Sequence, residues 1–222
     1  MNSRHNPILV CFALKEEAAP FHKIAAAHPG VGMLIVGIGR ANAEKSVRDF
    51  LSGAAGVPPE LVLTCGFAGG LNPDLKLGEV VFELAAPVIS NQKLNNTLLS
   101  AGAKPAKFFC ADRIATTVVE KTFLREQTGA DAVEMESAAI HAVCAEKNIP
   151  CVTVRVISDA AGEDLPLDFN ALTKPDKSLD FGKLAWAIAQ SPGKIPQLMA
   201  LGRKTSFAAQ QLARVLEKII SA

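Results

Sequence analysis

Features that would place this protein in a membrane or on a nucleic acid are missing from its 222 residues. The longest uncharged stretches, Lys23 to Arg40 and Glu60 to Asp74, are too short or too broken by Pro and Gly to form a membrane-spanning helix of ~20 apolar residues. Lys and Arg total 23 against 22 acidic residues, so no basic excess favours nucleic acid or an anionic membrane. We therefore expect neither a transmembrane segment nor a nucleic-acid partner.

The cysteines show neither the spacing of a metal site nor that of a disulfide framework. No C-x-x-C pair occurs, and no His stands at metal-ligand spacing. An odd number of thiols within apolar segments is typical of a reducing compartment, so we expect a cytoplasmic protein without metal or cofactor. We interpret all five as small core side chains: Cys11, Cys65, Cys110, Cys144 and Cys151.

Short apolar runs alternate with segments of helical period along the chain. The run Ile8 to Leu14 is followed by charge and lacks an A-x-A-like cleavage site, so we expect a buried first strand and not a signal peptide. The predicted strands are Pro7–Ala13, Val31–Val36, Leu61–Cys65, Glu79–Phe82 and Cys151–Ile157, and the predicted helices are Ala41–Leu51, Thr116–Glu126 and Met135–Lys147. This alternation predicts an α/β fold with three α/β/α layers around a mixed, mostly parallel central sheet.

We expect one domain over residues 1–222, because about 109 hydrophobic side chains (49% of 222) suffice for one core. Leu165 to Lys177 is predicted to be a surface loop, and a helical tail is predicted over about residues 178–222, interrupted near Pro192, Gly193 and Pro196. A mean hydropathy of +0.23 with an apolar tail predicts a homodimer.

Three predicted strand ends concentrate glycine and ionisable residues, and open α/β sheets place their sites at such ends. Lys15-Glu16-Glu17 follows the first strand, and Cys65-Gly66-Phe67-Ala68-Gly69-Gly70 follows a buried strand as a predicted turn. The third place combines Val133-Glu134-Met135-Glu136-Ser137 with the segment Val154 to Asp159. If the last strand stays regular, alternation puts Arg155 and Asp159 on one side.

These segments resemble, in order, the motifs of the purine nucleoside phosphorylase and methylthioadenosine/S-adenosylhomocysteine nucleosidase superfamily. The motifs are Ala13-Leu14-Lys15-Glu16-Glu17, Gly66-Phe67-Ala68-Gly69-Gly70-Leu71, Val133-Glu134-Met135-Glu136 and Val154-Arg155-Val156-Ile157-Ser158-Asp159. The resemblance covers about Ile8 to Ala161. The tail, with Pro192-Gly193-Lys194-Ile195-Pro196, is more similar to the hopanoid-associated phosphorylase branch.

The resemblance implies that the protein cleaves the N-glycosidic bond of a purine ribonucleoside. The expected base is adenine. The resemblance further implies that Asp159 protonates or hydrogen-bonds the purine. It also implies that Glu136 binds the ribose hydroxyls and stabilises the cationic ring, with Met135 against the sugar. Glu17 would activate water, with Arg155 and Ser158 orienting the carboxylates. Further substrate contacts are expected from Glu134, Gly66, Gly69 and Gly70.

Two positions depart from the family pattern. Phe67 stands where many relatives have a serine, so a hydroxyl near the nucleophile is missing, although the ring offers an apolar contact. Ile114 or Arg113 stands where nucleosidases often stack a phenylalanine on the purine, which leaves the stacking contact open.

Other interpretations remain open at this stage. Taken singly, Glu136 is an ordinary helix-start acid and Asp159 an ordinary loop residue. Gly37-Ile38-Gly39 suggests a dinucleotide-binding module, but Asn42 replaces the third glycine. A non-catalytic nucleoside-binding relative is a third reading.

The nucleophile is either water or phosphate. A phosphate site needs several donors, and Arg40 is the plausible guanidinium. A carboxylate such as Glu17 repels phosphate but accepts a proton from water. The sequence therefore favours hydrolysis over phosphorolysis.

Overall fold

The computed structural model of the protein describes residues 8–53, 58–84, 91–174, 177 and 180–222. Within these ranges eight strands form one sheet: β1 (Ile8–Phe12), β2 (Val31–Ile35), β3 (Leu61–Gly70), β4 (Val80–Leu84), β5 (Lys104–Pro105), β6 (Phe108–Cys110), β7 (Ala132–Glu134) and β8 (Cys151–Asp159). The strand order is β2-β1-β3-β8-β4-β5, and β7 joins the end of β3 to β6. The β4–β8 and β3–β7 pairs are antiparallel and the others are parallel. The predicted mixed, mostly parallel sheet is confirmed.

Helices cover both faces of this sheet. They are α1 (Lys15–Ala26), α2 (Arg40–Gly53), α3 (Gln92–Ala101), α4 (Val118–Thr128), α5 (Ser137–Glu146), α6 (Phe181–Gln190) and α7 (Ile195–Ile220). One hydrophobic cluster joins α1 and α7 to the sheet, and a second joins α2 and α5 to its other face. Both faces of the central strands are thereby removed from water, which explains why all nine residues of β8 are buried. The three-layer α/β/α fold is confirmed.

The predicted strands and helices are present, with shifted ends. Pro7, the first residue of the first predicted strand, lies outside the described residues. β3 runs through Gly70, so the glycine-rich segment predicted to be a turn is strand. α5 begins at Ser137, which leaves Met135 before the helix and makes Glu136 its N-cap. Helices α1 and α3 and strands β5 to β7 are not predicted from the sequence.

The helical tail is confirmed in its described part. A 3-10 turn over Pro192–Lys194 separates α6 from α7, and Pro196 lies in the first turn of α7, where a missing N–H costs no helical hydrogen bond. The predicted loop Leu165 to Lys177 follows turns where it is described, with Leu167 and Leu172 buried. A search of the described helices finds none long and apolar enough to cross a bilayer.

Candidate active site

The candidate site is built around Arg155, a fully buried side chain on β8. Its Nη2 donates to Glu134 Oε2 at 2.7 Å and to Thr64 Oγ1 at 3.1 Å, and its Nη1 lies 3.2 Å from Glu136 Oε2. Burial alone would lower the pKa of Arg155, but Glu134, Glu136 and Glu17 raise it. A buried guanidinium is tolerated only with such partners, so Arg155 and its acids form one charged unit.

Glu134, at the end of β7, is the acid most completely occupied by protein donors. Its oxygens accept from Arg155, from the backbone N–H groups of Glu136 and Ser137, and from Ser137 Oγ. Burial would raise the pKa of Glu134, yet Arg155 and these donors hold it below its usual value. The side chain of Glu134 is fully buried and holds Arg155, and its contact with substrate stays a prediction.

Glu17 reaches the same unit from the first turn of α1. Its Oε1 accepts the N–H of Phe67 at 2.8 Å, and its Oε2 accepts the N–H of Leu14, the N-cap, at 2.9 Å. Burial raises the pKa of Glu17 to about 7, with Arg155 opposing the rise. A carboxyl group that titrates near neutrality is suited to take a proton from water.

Gly66 leaves room for the side chains of Glu17 and Arg155 to lie close to β3. A Cβ at this position would lie 2.7 Å from Glu17 Oε1 and 2.8 Å from Arg155 Nη1. Its φ of +145° also lies in a region that favours glycine. The glycine predicted to contact substrate therefore makes room for two charged side chains, and its contact with substrate stays a prediction.

Glu136 lies on the other side of Arg155. Its Oε1 accepts the N–H of Gly39 at 2.8 Å, and Gly39 takes a φ of +86° in the loop before α2. Burial raises the pKa of Glu136, and Arg155 opposes the rise. The Gly37-Ile38-Gly39 segment, which suggested a dinucleotide site, thus positions a carboxylate in this structure. Met135 is buried beside Gly39.

Asp159 forms the second end of the site, at the end of β8. Its Oδ1 accepts from Ser158 Oγ at 2.7 Å, and its Oδ2 lies 2.5 Å from the ammonium of Lys121 on α4. A Cβ on Gly69 would lie 3.3 Å from Asp159 Oδ2, and one on Gly70 would lie 3.2 Å from the Asp159 carbonyl. Both glycines therefore let the end of β3 pass close to Asp159.

Strand β8 is irregular just before Asp159. Ala68 pairs with Ile157 but Gly69 pairs with Asp159, so Ser158 is an extra residue in β8. The alternation argument that placed Arg155 and Asp159 on one side therefore holds only to Ile157. Gly66 and Gly69 are three residues apart, which places the two ends of the site about 10 Å apart along β3.

Phe67 and Ile114 are held by contacts within the protein. The Phe67 ring packs against the cluster between α1, α7 and the sheet, while its N–H binds Glu17. Ile114 exchanges two backbone hydrogen bonds with the Asn170 side chain, and Arg113 pairs with Glu120. Which side chain stacks on a base stays open.

Three residues in the site were missed from the sequence: Thr64, Gly39 and Lys121. Each acts through a partner far away in sequence, so no local pattern marks it. Arg40, the candidate phosphate ligand, lies at the start of α2 with its Nε 3.4 Å from Asp112 and its Nη2 on the Cys110 carbonyl. Both side chains of this ion pair are exposed, so the pair is weak and leaves Arg40 accessible.

The chain is similar in sequence to known proteins. The phosphorylase superfamily profile matches residues 86–189. An aminodeoxyfutalosine nucleosidase of Campylobacter jejuni is 30% identical over 139 residues, or 50% of this chain and 61% of that protein. A 5'-methylthioadenosine/S-adenosylhomocysteine nucleosidase of Anoxybacillus flavithermus is 28% identical over 63% of this chain and 72% of its own length. Over part of its length the chain is thus similar in sequence to the phosphorylase superfamily and to these nucleosidases.

Solved structures of nucleosidases share the fold over nearly the whole chain. The futalosine hydrolase of Helicobacter pylori superimposes with a TM-score of 0.69 and 18% identity, covering 97% of both chains. At this identity the likeness concerns the fold. The match to the Campylobacter relative spans less than two thirds of that protein.

Proposed function

We propose that this chain hydrolyses the N-glycosidic bond of a purine ribonucleoside, with adenine as the expected base. The observation that carries the proposal is the arrangement of acids along β3: Glu17 and Glu136 share Arg155 at one end, and Asp159 lies at the other. The nucleosidase names of the relatives support the same reaction. A cavity of about 340 Å³ borders Asp159 between the loop after β8 and α7, within the size range of small-molecule sites.

Each acid has a distinct task in this reaction. Breaking the bond between C1′ and the base leaves electrons on the base and positive charge on the ribose. Asp159 donates a proton to the departing base, with Ser158 orienting its carboxyl group. Glu136 accepts hydrogen bonds from the ribose hydroxyls and stabilises the cationic ring. Glu17 takes a proton from the water that bonds to C1′.

Water is the proposed nucleophile, in preference to phosphate. Glu17 is held by two backbone N–H groups where the nucleophile would approach, and a carboxylate there repels a phosphate dianion. Phosphorolysis, including that of a hopanoid-associated phosphorylase, stays the alternative because the superfamily includes phosphorylases and the tail resembles that branch.

The test measures free base with and without phosphate. The full chain is incubated with adenosine, 5′-methylthioadenosine and inosine in phosphate-free buffer and in phosphate buffer, and the products are separated by chromatography. Equal adenine release in both buffers, with a free sugar as product, is expected. A requirement for phosphate with ribose 1-phosphate as product would assign phosphorolysis, and binding without base release would assign a non-catalytic relative.

We further propose a cytoplasmic homodimer. All five cysteines are free thiols, which suits a reducing compartment. Several large apolar side chains are exposed on α4, α6 and α7, which favours burial of these faces between two copies: Val119, Phe123, Trp186, Met199 and Phe207.

A further inference from the structure

Lys121 is a buried cation beside the purine-side acid. It lies on α4 with no solvent exposure, and burying an ammonium group is costly unless it is fully paired. Its Nζ lies 2.5 Å from Asp159 Oδ2, 2.9 Å from the Ala160 carbonyl and 2.8 Å from the Glu163 carbonyl. The ammonium thus donates to two carbonyl oxygens and forms an ion pair with the Asp159 carboxylate.

We propose that Lys121 is a positioning residue for Asp159, an inference that rests on the proposed nucleosidase function. Ser158 donates to one carboxyl oxygen and Lys121 approaches the other, so the carboxyl group is fixed from both sides. The same ammonium fixes the backbone that directly follows Asp159. A side chain fixed in this way meets the base in one geometry, which favours turnover over binding.

A purely structural role for Lys121 is the competing explanation. Two other hydrogen bonds also join the start of α4 to the loop after β8. The Val118 N–H donates to the Asp164 carboxylate at 2.6 Å, and the Leu165 N–H donates to the Thr116 carbonyl at 2.8 Å. Neither of these bonds touches Asp159. Asp164→Ala removes a link to the same loop without a bond to Asp159, and because Asp164 also lines the cavity beside Asp159, its own effect on kcat and KM is measured first in the wild-type background.

The decisive experiment is a double-mutant cycle on adenine release from adenosine or 5′-methylthioadenosine. Lys121→Met should lower kcat about ten- to a hundredfold and change KM by less than about threefold. In the Asp159→Asn background the same change should have almost no further effect on kcat, because the group that Lys121 positions is already lost. The effect of Asp164→Ala on kcat should instead be independent of Asp159, so that the fold-changes of Asp164→Ala and Asp159→Asn multiply in the double variant. Thermal unfolding verifies that each variant is folded.

Lys121→Gln is the second variant, because an amide can still donate to the two carbonyls if the apolar variant does not fold. Two results would overturn the positioning role while the nucleosidase function stands. One is that the fold-changes in kcat from the Lys121 and Asp159 substitutions multiply fully in the double variant, and the other is that kcat is unchanged in both Lys121 variants. A wild-type protein that releases no base from any nucleoside would overturn the function and this inference with it.

Discussion

The pH dependence of turnover tests the role of Glu17 directly. Burial raises the pKa of Glu17 to about 7, while Arg155 and the Phe67 N–H oppose the rise. Only the carboxylate form can accept a proton from water. The rate should therefore climb as the pH passes through 7, where an exposed glutamate would already be fully ionised.

The size of this effect follows from the pKa. A group that titrates near pH 7 is ionised in about 9% of molecules at pH 6 and in about 91% at pH 8. If Glu17 is the base, kcat/KM for adenine release should rise about tenfold over this interval. A flat wild-type profile between pH 6 and pH 8 would contradict the assignment.

Glu17→Gln is the matched variant for this test. The amide oxygen can still accept the Phe67 N–H, and the side chain keeps its size, but it cannot take a proton. We expect kcat to fall about 10² to 10⁴-fold and the slope between pH 6 and pH 8 to disappear. Adenine release at constant ionic strength measures both, and a variant that keeps the slope would assign the titration to another group.

The same raised pKa makes a prediction about folding stability. Because the folded-state pKa lies above the ordinary value of 4.5, protonation favours the folded state, and this contribution is lost as the pH rises from about 4.5 through 7. Relative to wild type, Glu17→Gln should gain stability at pH 8 compared with pH 4.5. Urea unfolding at the two pH values checks the sign, and a gain at pH 4.5 alone would contradict it.

Three further predictions address the other parts of the site and the assembly. Asp159→Asn should keep the fold and lower kcat by about a hundredfold or more, measured as adenine release, and near wild-type rates would remove its role as the acid. Glu136→Gln should penalise ribonucleosides far more than their 2′-deoxy analogues in kcat/KM, whereas equal penalties would exclude contact with the hydroxyl. Light scattering at micromolar concentration should give twice 23.4 kDa, and a monomer would refute the dimer.

The sequence predicts the sheet well where burial is continuous. The apolar run from Cys151 predicts β8 because residues buried on both faces show no polar alternation. The strand predicted from Leu61 ends too early, at Cys65, because glycine is unfavourable in strands. Pairing with β8 nevertheless carries β3 through Gly70. The reason for the glycines, room for Glu17, Arg155 and Asp159, comes from other elements and is not readable locally.

Helix α1 shows the complementary limit. Pro20 lies inside it and the segment opens with Lys15-Glu16-Glu17, a pattern that reads as a charged loop. Tertiary packing forms the helix, because Phe21 is fully buried against Phe12 at a ring-centroid separation of 6.0 Å. Such packing outweighs the hydrogen bond that proline removes. The helix matters for function because it brings Glu17 back to the sheet.

The division of labour among the acids is a property of the assembled site. Three carboxylates face one guanidinium, so Arg155 alone cannot offset the burial of all of them. Glu134 receives four donor groups and stays ionised, with its pKa below the usual value. Glu17 has two backbone donors and its pKa rises to about 7. Two glutamates thus differ in function because they accept different numbers of hydrogen bonds: Glu134 is a permanent counter-charge for Arg155, and Glu17 is a base that titrates. The motif Val133-Glu134-Met135-Glu136 therefore predicts where the acidic residues lie but not which of them reacts.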